Sequence, residues 1–123
     1  MQARFLKLYN DGSRESHFAD LELQLLPTEF APQTSRLYLS EQLGSGNCFF
    51  FGAPAGWIAD WHGSSGRHLF VVLTGMWEVK ASDGESRTFA TGDVLLVEDT
   101  VGKGHASRVY GDNGSVAMLV DLA

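Results

Sequence analysis

The stretch DWHGSSGRHLFVVLTG, residues 60–75, combines ionisable side chains with the alternation and turn residues of β-strands. Successive side chains of a strand point to opposite faces, so Asp60 and His62 are expected on one face. His68 opens the next apolar run and shares its parity with Phe70. The stretch therefore predicts two strands joined by a glycine-rich loop, with several potential ligands on one side.

The rest of the chain repeats this pattern of short apolar runs separated by turns. Turn signals such as Asn10-Asp11-Gly12 and Gly111–Gly114 recur at the spacing of roughly 8 to 12 residues that is typical of sandwiches and barrels. The only candidate for a helical turn is Ser40–Leu43. About ten or eleven strands follow from this reading, and the predicted fold is all-β, as a closed barrel or a sandwich.

Two local signals within this pattern are specific. Asp83-Gly84 is a favourable two-residue hairpin turn because both positions tolerate positive φ, so 76–81 should pair antiparallel with 85–89. Residues 28–35 follow Pro27 and contain Pro32 with several small polar residues, which predicts a loop.

Length and composition limit the possible architectures. The 123 residues are enough for one continuous core and too few for two. We expect a single domain over 1–123, with an N-terminal arm over about 1–35 and a barrel core over about 36–123. Cys48 is the only cysteine, which excludes an internal disulfide and a thiolate zinc cluster.

Charge and hydropathy exclude two classes of partner. The formal net charge is −6, and the nine Lys and Arg residues are scattered among fifteen acids, so no nucleic-acid role is expected. No apolar run approaches the roughly 20 residues that span a bilayer, so no membrane association is expected. These features predict a cytoplasmic protein.

Two predicted strands are apolar on both faces. Residues 68–73 and 94–97 lack the alternation that a strand exposed to water on one side should show. Either the N-terminal arm covers the outer face or two subunits meet there. We favour the second explanation, which predicts a homodimer.

Candidate ligands recur at motif spacing in two places. Asp60-x-His62 is followed by His68 and then Gly75, and a second group runs from Gly92 to His105. These segments resemble the two sequence motifs of the cupin superfamily. In the first motif, Asp60 stands where a histidine is typical and His68 stands where a glutamate is typical.

The second motif departs further from the usual pattern. Its loop is two residues longer, Thr100 takes the place of proline, and Val109 takes the place of asparagine. The similarity is strongest to small single-domain conserved-barrel cupins, which carry Asp-Trp-His in the first motif, here 60–62, and Glu-Asp-Thr-x-Gly-Lys-Gly-His in the second, here 98–105. Such cupins have no settled activity, so the resemblance informs the fold more than the function.

The resemblance implies a cupin-type double-stranded β-helix, or jelly-roll barrel, with a divalent transition metal such as Fe, Mn, Ni or Zn. Its ligands would be Asp60, His62, His68 and His105. Such a centre could support dioxygenase or isomerase chemistry on a small organic molecule. In the alternative, the histidines line the pocket of a metal-free barrel that binds or senses a small-molecule ligand without turnover.

Further residues are candidates for contact with such a ligand. Aromatic side chains at a barrel mouth suit a planar or apolar molecule, although core packing would also explain them. Arg67 could orient an anionic group, and Glu98 and Asp99 could serve as a general base or only in loop hydrogen bonds. The predicted substrate-binding set is Phe49, Phe51, Trp57, Phe70, Trp77 and Arg67.

Overall fold

The computed structural model describes residues 1–29, 31–33 and 35–123. These residues form strands and contain no helix, and therefore none long enough to cross a membrane. Positions 30 and 34 of the predicted 28–35 loop lie outside the described residues. The strands are β1 Gln2–Asn10, β2 Ser16–Gln24, β3 Leu26–Thr28, β4 Leu37–Leu39, β5 Ser45–Ala53, β6 Ile58–His62, β7 His68–Thr74, β8 Met76–Ala81, β9 Ser86–Ala90, β10 Val94–Val97, β11 His105–Tyr110 and β12 Ser115–Leu122.

The strands β5 to β12 form two sheets. One contains the strand order β10-β7-β12-β5, and the other has the order β6-β11-β8-β9. This arrangement is that of an eight-stranded jelly roll, the architecture found in cupins. The all-β, cupin-type jelly roll predicted from the sequence is therefore confirmed.

The N-terminal arm enlarges the first sheet. β1 pairs in parallel with β10, with Leu6 opposite Leu95, and β2 pairs antiparallel with β1. The result is a six-stranded sheet in the order β2-β1-β10-β7-β12-β5. Because β1 and β2 lie in the plane of this sheet, they extend its edge and do not fold over its outer face.

The arm beyond β1 is divided into two strands, since β2 ends at Gln24 and β3 begins at Leu26. β3 contains Pro27 and pairs only with β4, as a separate two-stranded ribbon. Proline has no N–H to donate, so a central position in the main sheet would lose a ladder hydrogen bond.

The hydrophobic core lies between the two sheets. Inward-facing side chains from both sheets fill it, and burying each large one contributes about 1.5–3 kcal/mol. The arm contributes Leu8, which is fully buried. The buried cluster contains Leu8, Ala53, Phe70, Val72, Trp77, Val79, Ala81, Phe89, Leu95, Val97, Val109 and Ala117.

The hairpin predicted around Asp83-Gly84 is confirmed, but its turn contains three residues, 82–84, and not two, and Gly84 alone among them has a positive φ. β8 and β9 pair antiparallel, Gly84 has a φ of 96°, and the Gly84 N–H donates to the carbonyl oxygen of Ala81 at 3.1 Å. This turn also holds the arm. Nδ1 of His17, on β2, lies 2.8 Å from a carboxylate oxygen of Asp83, and its Nε2 lies 2.6 Å from a carboxylate oxygen of Asp11.

Candidate functional site

A cavity of about 350 Å³ lies between the two sheets. Its walls come from β5, β7, β10 and β12 on one side and from β6, β8 and β11 on the other. Three imidazoles lie at one end and aromatic rings at the other. The lining residues are Phe51, Trp57, His62, Gly63, Ser64, Ser65, His68, Phe70, Trp77, Val79, Leu95, Val97, His105, Ser107 and Leu119.

Neighbouring strands bring His62 and His105 together. The two residues face each other across the β6–β11 pair, and their ring centroids are 4.7 Å apart. Gly104 allows this approach because its φ is 74° and a Cβ there would overlap the backbone carbonyl of His62. The glycine before His105 therefore sets how closely the two histidine-bearing strands pass.

Asp60 does not join this pair, contrary to the expectation that it shares a face with His62. The β6–β11 register shifts by one residue between His105 and Ser107, so that Ala59 pairs with Ser107 while His62 pairs with His105. Such a β-bulge inserts an extra residue into one strand and breaks the strict alternation of its side chains. Asp60 consequently lies beside Lys80, in a depression on the outer surface of the four-stranded sheet.

His105 is held by a buried carboxylate. Its Nδ1 lies 2.5 Å from Oδ2 of Asp99, whose side chain is 0% exposed. An ionised carboxylate only accepts hydrogen bonds, so Nδ1 carries the proton and donates it. The other oxygen, Oδ1, is also buried and has no hydrogen-bond partner among the described residues. Asp99 therefore fixes both the orientation and the tautomer of the His105 ring.

His68 and His62 are anchored through the same ring nitrogen. The Ser64 hydroxyl donates to the Gly66 carbonyl at 2.6 Å, and its oxygen therefore accepts from Nδ1 of His68 at 3.2 Å. His62 donates from Nδ1 to the backbone carbonyl of Asp60 at 2.7 Å. Burial lowers the pKa of His68 below its ordinary value of 6.5, with nearby Asp121 acting in the opposite direction.

The three cavity imidazoles share one consequence of this anchoring. Nδ1 is the donor in His62, His68 and His105, so in the neutral rings Nε2 is an acceptor. No hydrogen bond to these Nε2 atoms is formed within the described part of the chain. The cavity therefore contains three imidazole nitrogens with their lone pairs available.

The opposite end of the cavity is aromatic. Trp77 lies with its ring centroid 5.2 Å from that of Phe70 and 5.4 Å from that of Trp57. Its indole N–H donates to the Ser115 hydroxyl at 2.7 Å, so its position is fixed from outside the cavity. Phe51 completes this end of the lining. Four of the predicted substrate-binding residues, Phe51, Trp57, Phe70 and Trp77, thus line one surface.

The other two predicted substrate-binding residues lie elsewhere. Phe49 is 47% exposed at the middle of β5 and does not line the cavity. Arg67 lies on the outer side of the six-stranded sheet, where it donates to Glu98 at 2.7 Å and to the Ala123 carbonyl at 3.1 Å. Arg67 directly precedes His68, and the alternation of side chains along a strand places the two on opposite faces.

A metal ion can bind at this site only if the side chains of several potential ligands lie close enough to contact the same ion. Three Nδ1-anchored imidazoles, one of them held by a carboxylate, are the donor chemistry of histidine-rich metal sites. Among the described residues, however, no group of three or more His, Cys, Asp or Glu side chains is close enough to hold an ion. The predicted set of Asp60, His62, His68 and His105 is therefore not assembled as a metal site in this arrangement.

Two functional residues were not identified as such from the sequence. For Asp99 the sequence allows surface placement, loop hydrogen bonding or a general base, and the residue is a buried partner of His105. Ser64 carried no signal in the sequence beyond its place in a glycine-rich loop. For Asp99, the signal was its position six residues before His105, in the loop that also contains Gly102 and Gly104.

Comparisons with known proteins give structural neighbours only. The sequence matches no protein-family profile and no curated protein. A protein from Neisseria meningitidis is 20% identical with a TM-score of 0.45, over 68% of this chain and 84% of that one. A cupin-2 domain containing protein from Shewanella frigidimarina is 14% identical with a TM-score of 0.44, over 62% and 69% of the two chains. A putative ethanolamine utilization protein Q from Salmonella typhimurium is 11% identical with a TM-score of 0.39, over 99% and 97%.

Proposed function

We propose that the protein binds a small organic molecule in the cavity between its sheets. The single observation that carries this proposal is the division of the cavity into an imidazole end and an aromatic end. A ligand that fits both ends has a planar or apolar body and a polar group that donates hydrogen bonds. Its body would pack against Phe70 and Trp77, and its polar group would meet Nε2 of His62 and His105.

The physical basis is that each end favours a different part of the ligand. Removing apolar surface from water contributes about 25 cal/mol per Å² buried, which favours entry of a planar body. The imidazole acceptors are already oriented by Asp99, Ser64 and the Asp60 carbonyl, so little further ordering is needed on binding. The cavity is large enough for a molecule of one or two fused rings.

Equilibrium binding of 2-naphthol, a planar molecule with one hydroxyl donor, tests this proposal. Trp57 and Trp77 lie in the cavity wall, so their fluorescence reports occupancy directly. Ser107→Phe places a ring in the cavity and should abolish saturable binding, whereas the matched control Ser107→Ala should retain it. Equal binding by the two variants would show that the probe binds outside the cavity and would contradict the proposal.

A second candidate function is a metal-dependent centre at the imidazole end. The observation that favours it is that all three imidazoles are anchored through Nδ1, which leaves three Nε2 donors. His62, His68 and His105 would supply the ligands for a divalent transition metal, with Asp99 as the outer partner of His105. The bound ion would act as a Lewis acid or oxygen-binding centre. Its formation requires the three rings to move closer together than they are here.

A further inference from the structure

The three imidazoles of the cavity can accept hydrogen bonds from a ligand but cannot donate them. The Nδ1 protons of His62, His68 and His105 are all used within the protein, on the Asp60 carbonyl, the Ser64 hydroxyl and the Asp99 carboxylate. Each neutral ring therefore offers a ligand only the lone pair of its Nε2. A polar group that satisfies all three rings must supply three donors.

The charge around this end of the cavity is negative. Asp99 places a buried carboxylate 2.5 Å behind the His105 ring. Asp121 is the cross-strand neighbour of His68, and paired residues of adjacent strands project from the same face of a sheet. Among the described residues that line the cavity there is no lysine or arginine, and Arg67 lies on the outer side of the sheet. This end therefore attracts a cation and repels an anion.

The charge of Asp99 is only partly compensated by hydrogen bonds. Its Oδ2 accepts from Nδ1 of His105, whereas Oδ1 is buried and has no hydrogen-bond partner among the described residues. A buried charge is costly unless an opposite charge or further hydrogen bonds offset it. A positive group bound at Nε2 of His105 would offset it, because that group lies on the other side of the same polarisable ring.

The spacing of the rings suits a group larger than a metal ion. A zinc ion holds imidazole nitrogens at about 2.0–2.1 Å, and the described residues bring no three ligating side chains close enough to share one ion. A hydrogen bond between two heavy atoms is longer, at about 2.9–3.0 Å. The ring centroids of His62 and His105 are 4.7 Å apart. A nitrogen that donates hydrogen bonds therefore fits this wider arrangement better than an ion does.

We infer that the ligand of this cavity is a protonated arylalkylamine, with its ammonium group at the imidazoles and its aryl ring at Phe70 and Trp77. This inference rests on the proposed function and names the class of ligand. An alkylammonium group has three N–H donors, one positive charge and no acceptor. A hydroxyl group supplies one donor and no charge, and a carboxylate supplies no donor and the wrong charge. The ammonium group alone among these matches both the number of acceptors and the charge.

Three naphthalene derivatives that differ only in their polar group test the inference. They are 2-naphthylmethylamine, 2-naphthylmethanol and 2-naphthoate. Calorimetric titration of the full chain, freed of metal, compares them at about pH 8, where imidazoles are neutral and an alkylamine is protonated. The dissociation constant of the amine should be at least about 10-fold lower than that of the alcohol, because hydrogen bonds to charged groups are stronger. The naphthoate should not bind measurably.

Asp99→Asn supplies a second test of the same preference. The amide can donate to Nδ1 of His105, which moves the ring proton to Nε2. An alcohol can accept from that proton, whereas an ammonium group cannot. The variant should therefore bind the alcohol and lose the preference for the amine. Asp20→Asn is the matched control, since it removes the same charge from an exposed position of β2 outside the cavity and should keep the preference.

The outcomes separate this inference from the proposed function. If the alcohol or the naphthoate binds the wild-type chain as tightly as the amine, the inference is overturned and the proposed function stands. If none of the three binds, the proposed function fails as well. A preference that survives Asp99→Asn, or that is lost equally in Asp20→Asn, would trace it to the net charge of the chain and overturn the inference. The wild-type comparison is decisive even if a variant does not fold.

Discussion

Gly104 lies so close to the backbone carbonyl of His62 that no side chain fits between them. Its φ of 74° adds a second restriction, because residues with a Cβ rarely adopt this conformation. The distance between the two histidine-bearing strands, and hence the pairing of His62 with His105, depends on this glycine. The site is thus built by a backbone contact as much as by its side chains.

Gly104→Ala should therefore destabilise the fold strongly. The change introduces both backbone strain and a clash with a strand, and we expect a loss of at least about 2 kcal/mol in the free energy of unfolding. Gly84→Ala is the control, since Gly84 has a φ of 96° but no atom within 4 Å of the added Cβ. It should lose only about 1 kcal/mol. Urea unfolding measures both, and equal losses would show that the His62 contact is unimportant.

The contact between His17 and its two aspartates should make stability depend on pH. Hydrogen bonds to Asp11 and Asp83 raise the pKa of His17 above 6.5, and the bond to His17 helps to hold the pKa of Asp11 below 3.8. A raised histidine pKa contributes stability fully below about pH 6.5, and that contribution is lost as the pH rises through the folded-state value. The aspartate contribution is lost only in acid.

Comparison with His17→Gln isolates this effect. The difference in unfolding free energy between the wild-type chain and the variant should be larger at about pH 5.5 than at about pH 8.5, because only the protonated ring donates to both carboxylates. Urea titrations at the two pH values measure it. A difference that is constant, or that grows with pH, would contradict the assignment of His17 as a protonated ring that donates to both Asp11 and Asp83.

Asp99→Asn should change the tautomer of His105. The carboxylate accepts from Nδ1, whereas an amide can donate to that nitrogen, which would move the ring proton to Nε2. Nitrogen chemical shifts of the imidazole measure this directly. Asp60→Asn is the control, since His62 uses the backbone carbonyl of Asp60 and not its side chain. A tautomer unchanged in Asp99→Asn would show that Asp99 does not position the ring.

The metal-centre candidate makes its own prediction. Protein prepared without a histidine tag and without chelators should contain close to one transition-metal ion per chain, and His62→Ala combined with His105→Ala should lose it. Asp60→Asn should keep the metal, because Asp60 lies on the outer surface. Elemental analysis measures all three. This candidate function would be contradicted if the wild-type protein stayed metal-free after reconstitution with metal, or if the double variant retained the metal.

The fold was predictable because strand alternation and turn residues act locally. Asp83-Gly84 and the apolar runs of β7 and β10 contain enough information to place strands, and the cupin resemblance supplied their order. The arm breaks between β2 and β3 at Leu25, two residues before Pro27, and the pairing of β1 with β10 joins residues far apart in sequence. Long-range pairings of this kind leave no local signal.

The site was predictable in its histidines and not in its carboxylates. His62, His68 and His105 line one cavity as expected, whereas Asp60 is displaced by a single extra residue in β6. A bulge changes the face to which the side chains beyond it point, without any change in the hydrophobic pattern of the strand. The local sequence therefore does not predict it. Asp99 could not be placed from the sequence for a different reason. Its burial depends on how the loop before Gly102 folds back over His105.

Nitrogen–proton NMR of the four histidine rings during titration with 2-naphthol, on protein freed of metal, tests the central claim most directly. The account predicts shifts of His62 and His105, with a smaller shift of His68, as the hydroxyl approaches their Nε2 atoms. His17 lies outside the cavity and should not respond. Saturable binding that leaves the three cavity imidazoles unchanged, or that shifts His17 alone, would contradict the proposal that this cavity is the functional site.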